Sequence, residues 1–201
     1  MKKLLVAVAL GFSFLSAGCA STLKYNPVYI PNERASTRIN GAAALVMTQE
    51  SQNFVFTGNP TSFTGSATTL TLPIGEIARE VGLVVLGRSF ENGAAIALSS
   101  QDGKYNAVVS VSNFSYQYNQ MQNLGMAITP KVTLSLNAVV TDPDGKELLR
   151  KTYNRTDFKG DTYMASTQPA EKINAAFHKA LTEMLNEMVT DIANAEKTPI
   201  S

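Results

Sequence analysis

The stretch from Pro130 to Thr156 leaves little freedom in how this chain folds. Val132, Leu134, Leu136 and Ala138 alternate with Thr133, Ser135 and Asn137, the period of two that puts one set of side chains on one face of a β-strand. Asp142-Pro143-Asp144-Gly145 follows. These are turn residues, and Gly145 is free to take the positive φ that a type I turn followed by a bulge requires. Glu147 to Thr156 then returns antiparallel. Such a hairpin has one apolar face, and a helix or a second sheet must cover it.

The C-terminal part of the chain supplies the cover. From about Gln168 to Asn194, Ile173, Phe177, Ala180, Leu181, Met184, Leu185, Met188 and Ile192 fall on one helical face, with Glu183, Glu187 and Asp191 on the other. Pro169 in the first turn and Glu171 beside it suit a helix start. A second helix is predicted from Leu72-Pro73 onward, capped at Thr71 or Leu72, with Ile74, Ile77, Ala78, Val81 and Val85 on one face. Gly82 and Gly87 leave its end open. Between the helices, Tyr105 to Tyr118 alternates apolar and polar residues with one slip at Asn113-Phe114, which predicts a β-bulge. Short strands are expected over Gly41–Thr48, Asn53–Thr57 and Ser66–Leu72. The fold class that follows is α+β: a mixed or antiparallel sheet with two amphipathic helices packed on one face.

The N-terminus has a different character. Two lysines, Lys2 and Lys3, precede an apolar run from Leu4 to Ala17, and Cys19 closes it as the only cysteine among 201 residues. A run of 14 residues is short of the roughly 20 that a membrane-spanning helix needs. Its order matches a secretory signal with the cleavage site built on the cysteine. Removal of residues 1–18 leaves 183 residues carrying 15 Lys and Arg against 16 Asp and Glu, a net charge of −1. That balance gives no general attraction to nucleic acid. With one cysteine there is no disulfide framework, so stability rests on burial. The expected organisation is a signal at 1–18, a tether at 19–40, one domain at 41–196 and a tail at 197–201. The tether reading rests on Pro27, Pro31 and the polar residues around them, which show no period.

No constellation of reactive residues stands out. His178 is the only histidine, so a relay or a histidine metal site would rest on it alone; a partly buried or exposed helix histidine is the reading preferred. Glu76 and Glu80, with Arg79 between them, read as a solvated face. Asp142 to Gly145 has the opening of a calcium loop without its third ligand or distal glutamate. The expectation is a non-enzyme with no cofactor and no metal.

Ala17-Gly18-Cys19 resembles the lipobox of bacterial lipoproteins, with Leu15 one place further out than usual and Ser16 in its slot. The resemblance implies cleavage before Cys19, diacylation of its thiol and acylation of its amine. Each buried methylene contributes about 0.8 kcal/mol, so three chains anchor permanently. Ala20 in the following position implies the outer membrane, with the domain facing the periplasm.

From Tyr105 to Asn194 the layout is a Ser-, Asn- and Tyr-bearing strand, an amphipathic hairpin, the link Phe158-Lys159-Gly160-Asp161, and a helix containing Ile173-Asn174-Ala175-Ala176. It resembles the YajG-like family of bacterial lipoproteins and is similar, at the level of fold, to LptE-, PqiC- and LpoB-type periplasmic lipoproteins. The resemblance implies an accessory or binding subunit that meets the membrane through acylated Cys19 and an envelope protein as partner. An exposed aromatic patch at Tyr116, Tyr118 and Met121 would be its contact surface. The alternative is a carrier of lipid or another apolar ligand within an envelope transport system, which requires an enclosed apolar pocket of several hundred Å³. The first is preferred, because both helical stripes are needed to complete one modest core.

Overall fold

A computed structural model describes residues 20–22, 38–62, 68–119, 127–164 and 169–197. The expected signal, Cys19, Met121 and residues 23–37 of the expected tether lie outside these. The elements in chain order are β1 (Ala20–Thr22), β2 (Ala43–Val46), α1 (Gln49–Gln52), β3 (Phe56–Gly58), β4 (Thr69–Leu72), α2 (Ile74–Ser89), β5 (Ala94–Ala97), β6 (Tyr105–Asn119), β7 (Ala127–Thr141), β8 (Glu147–Lys159), β9 (Tyr163–Met164) and α3 (Pro169–Lys197). The fold is α+β, with a large mixed sheet, a separate small sheet and helices packed against them.

The large sheet runs β5-β2-β6-β7-β8, with β9 paired to β7. Its first three strands are parallel to one another, and β6, β7 and β8 are antiparallel. The β7–β8 hairpin turns where its sequence predicts: Gly145 has φ +82° and its N–H donates to the Asp142 carbonyl at 3.0 Å. On β6 the register shifts between Ser112 and Ser115, and Asn113 sits there at φ 55°. A second shift, across from β7 residues 132–134, places Asp157 at φ 51°. Asn and Asp tolerate this left-handed conformation better than other residues with a side chain, and Asn113 is held across the strands, where its Nδ2 donates to Ser135 Oγ at 3.3 Å.

The apolar stripe of α3 is buried from Ile173 to Ile192, as are Ile74, Ile77, Ala78, Val81 and Val85 of α2. Both helices lie on the face formed by Leu45, Val109, Leu134, Leu136 and Ala138, and together these side chains form one core. The end of α3 is fixed where the Tyr105 hydroxyl donates to Glu196.

Four details depart from expectation. Helix α2 starts one residue late, with Pro73 at its N-cap and no side-chain cap bond. The second short strand moves to β3, because Thr48 caps the single turn α1 by accepting from Ser51 N–H at 3.1 Å. Ala94–Ala97, whose four residues show no alternation, forms the edge strand β5. The expected tether is partly structured: Ala20–Thr22 pairs with β4, and Ile39 is buried in the core and bridged to Phe90.

Candidate functional site

The two tyrosines singled out in the sequence face inward. Upstream of the bulge the buried apolar residues of β6 are Tyr105, Ala107 and Val109; downstream they are Phe114, Tyr116 and Tyr118. The extra residue at Asn113 shifts the alternation by one, so the second set returns to the covered face. Tyr116 is 1 % exposed and Tyr118 7 %. The exposed patch expected at these two residues is therefore corrected to a buried aromatic seam, and Met121 lies outside the described residues.

The seam joins the two sheets and α3. Phe56 of β3 stands edge-on to Phe114, with ring centroids 4.8 Å apart, and to Tyr116 at 6.0 Å. Phe114 then meets Phe177 of α3 edge-on at 5.3 Å. The Tyr116 hydroxyl donates to the Gly58 carbonyl at 3.1 Å and lies 3.4 Å from the Thr68 carbonyl. Thr61 N–H donates to the Tyr116 carbonyl at 2.8 Å, and Tyr118 N–H to Ser62 Oγ at 3.0 Å. Burial raises both hydroxyls above the usual tyrosine range; Tyr118 is pushed up to about 12. Neither is available as an acid or base near neutrality.

The small sheet, of order β1-β4-β3, carries the residues closest to Cys19. Ala20, Ser21 and Thr22 run parallel to Thr69, Leu70 and Thr71, while β3 closes the other side of β4 antiparallel. Leu70 and Leu72 anchor β4 in the core. The residue immediately after Cys19 is thus held against the body of the protein. Nothing in Ala20-Ser21-Thr22 announces this, since three residues are too few to show a period.

Charged side chains clamp α3 to β8. Arg155 reaches Glu187 at 2.5 Å and Glu183 at 3.9 Å. Asp191 accepts from Lys151 and from the Tyr153 hydroxyl, both at 2.7 Å. Burial acts to raise the Asp191 carboxyl, but these hydrogen bonds and the charge of Lys151 outweigh it and hold the group below the usual carboxylate range. An open groove of about 450 Å³ runs along this seam, lined by Lys151, Glu183, Asn186, Glu187, Thr190 and Asp191. On the far face of the sheet, a second open groove of about 440 Å³ lies over Ser110, Asn137, Arg150 and Thr152. The first offers hydrogen bonds and charge, which suits contact with a polar surface; the second is also lined by Val108, Val109, Ala138 and Val139 and is more apolar.

His178 is 2 % exposed, deeper than its sequence position predicts. Burial pushes its imidazole down to about 4, so it is neutral in the fold. Among the described residues, no group of three or more His, Cys, Asp or Glu is placed to hold a metal ion. Also among the described residues, no helix is long and apolar enough to cross a membrane.

No family model matches this sequence, and no curated protein matches it. Solved structures do. The chain is similar to a Xanthomonas campestris protein of the DUF330 family, at 15 % identity and a TM-score of 0.50, over 89 % of this chain and 99 % of that one. A minor lipoprotein from Acinetobacter baumannii is 11 % identical over 77 % of this chain and 94 % of its own, with a TM-score of 0.38. Uncharacterized lipoprotein B from Nitrosomonas europaea is 8 % identical over 81 % and 88 %, with a TM-score of 0.34. The likeness to the X. campestris protein is one of fold, and it extends over nearly the whole of that protein.

Proposed function

We propose that this chain is a bacterial envelope lipoprotein without enzymatic activity, of YajG-like type. It is held at the outer membrane by acyl chains on Cys19 and serves as an accessory or binding subunit for a protein partner. The observation that carries the reading is the N-terminal stretch itself, with Lys2-Lys3, a short apolar run and the chain's only cysteine at Ala17-Gly18-Cys19. A lone thiol exported to an oxidising compartment has no disulfide partner, and acylation gives it a role.

The small sheet supports this reading by its position. Ala20 is already paired to Thr69, so an acylated Cys19 lies within one residue of the folded body, about 3.3 Å of extended chain. The small sheet is then the membrane-proximal end. A partner role is favoured because the apolar faces of α2 and α3 are spent in one core, while an open polar groove remains at the surface between β8 and α3.

The test is a crosslinked pull-down of the acylated protein from native membranes, beside a Cys19→Ser control. The proposal expects one envelope protein at stoichiometric level, recovered only with the anchored form. Recovery of lipid without protein would instead establish the carrier.

A further inference from the structure

Several strands meet at one end of the molecule, and Cys19 leaves from that end. The chain beyond β3 runs beside the last residues of β6: Thr61 N–H donates to the Tyr116 carbonyl at 2.8 Å, and Ser62 Oγ accepts from Tyr118 N–H at 3.0 Å. Strand β4 is antiparallel to β3, and β1 is parallel to β4. The starts of β1 and β4, Ala20 beside Thr69, therefore point toward the same end as Tyr118. There Tyr118 pairs with Pro130 at the start of β7, and β9 completes the end, with Ile128 beside Tyr163 and Ala127 beside Met164.

The two ends of the molecule differ in charge. Residues 58–62, 68–69, 116–118, 127–130 and 162–164 include no Asp, Glu, Lys or Arg. Asn59, Thr61, Thr162 and Met164 are exposed among them, and Met164 is 60 % exposed. Charge among the described residues at this end stands at its border, on Asp161 and on Glu171 and Lys172 in the first turn of α3. The opposite end, where β7 turns into β8 and α3 finishes, carries Asp142, Asp144, Lys146, Glu147, Glu196 and Lys197.

We infer that the uncharged end is a lipid-contact surface, seated among the headgroups of the bilayer that holds the acyl chains; this rests on the acylation proposed for Cys19. Acyl chains on its sulfur hold Cys19 at the boundary of hydrocarbon and headgroups, and the headgroup layer is about 5–8 Å deep on each side. One residue of extended chain, about 3.3 Å, joins Cys19 to the paired Ala20. The residues level with Ala20 are too close to stand clear of that layer. Charged groups lose far more than hydroxyl, amide or thioether groups when water is taken from them, and this end presents the second kind. Strand β7 then rises from the membrane and holds the Asp142–Gly145 turn up to about 45 Å away.

The test introduces one thiol at a time into the acylated protein purified from membranes. Cys19 is the only native cysteine, and its acylation leaves the new thiol as the sole site for a label. Asn59→Cys, Met164→Cys and, at the far end, Asp144→Cys replace exposed side chains. Each is labelled with bimane and placed in vesicles of phosphatidylethanolamine and phosphatidylglycerol that carry a nitroxide on some headgroups. The labels at 59 and 164 are expected to lose most of their fluorescence, and the label at 144 to keep it. Protein that floats with the vesicles but is quenched at 144, or at neither 59 nor 164, overturns the inference and leaves the anchor standing. Protein that does not float and retains a free Cys19 thiol refutes the acylation, and the lipid-contact surface with it.

Discussion

The Tyr116 hydroxyl, on the long strand β6, donates to the carbonyl oxygen of Gly58 on the short strand β3 at 3.1 Å. This bond ties the small sheet, which carries the residues next to Cys19, to the large sheet that carries the core. Tyr116→Phe keeps the ring contacts with Phe56 and Tyr118 and leaves two carbonyls to seek other donors. A loss of about 1–2 kcal/mol is expected. Hydrogen exchange should locate the change at 56–58 and 69–72, ahead of β7 and β8.

His178 makes stability depend on pH. Its imidazole is near 4 in the fold and near 6.5 in the unfolded chain. Between these values the unfolded state binds more protons, so stability is full above pH 6.5 and falls as pH drops toward 4. The span corresponds to about 3 kcal/mol. Denaturant midpoints should fall across this window in the parent protein and fall less in His178→Gln, with the difference confined to the same window.

Two glycines of α2 separate close approach from helix propensity. A Cβ on Gly75 would lie 2.2 Å from the Ser51 carbonyl oxygen and 2.4 Å from that of Gln52, both backbone atoms that cannot yield without moving α1. Gly75→Ala is expected to cost about 1–3 kcal/mol. Gly87 has nothing within 4 Å of the same position, so Gly87→Ala should gain about 0.5–1 kcal/mol from helix propensity. Urea unfolding of the two variants should therefore shift in opposite directions.

The clamp between β8 and α3 is electrostatic and partly solvated. Arg155→Ala removes its pairings with Glu183 and Glu187 and should cost no more than about 1 kcal/mol at low ionic strength. The difference from the parent protein should shrink as salt is added. A loss that does not change with salt would assign Arg155 to packing through its stem.

Long elements with a clear period were legible in the sequence. The β7–β8 hairpin, the bulge at Asn113 and the stripe of α3 each carry enough residues for the alternation to register. Residues Ala94–Ala97 were not legible, because a run of three alanines and one isoleucine is too short to show a period, and only pairing with β2 decides its conformation. Ala20–Thr22 reads as tether for a similar reason, since its strand exists through pairing with Thr69–Thr71. The misreading of Tyr116 and Tyr118 has another cause. The slip at Asn113 was visible, but whether it turned those rings inward or outward depends on where α3 and β3 lie. His178 stood on the flank of a stripe, and only the packed structure shows that flank to be buried.

Lipid anchoring at Cys19 is tested most directly by the mass of the N-terminal peptide of the mature protein, taken from membranes. The mature chain should begin at Cys19, with two acyl chains on the sulfur through a glycerol linkage and a third on the amine. In Cys19→Ser this species should disappear and the protein should leave the membrane fraction. An intact residue 1–18 segment, or an unmodified Cys19 thiol on protein still bound to the membrane, would contradict it.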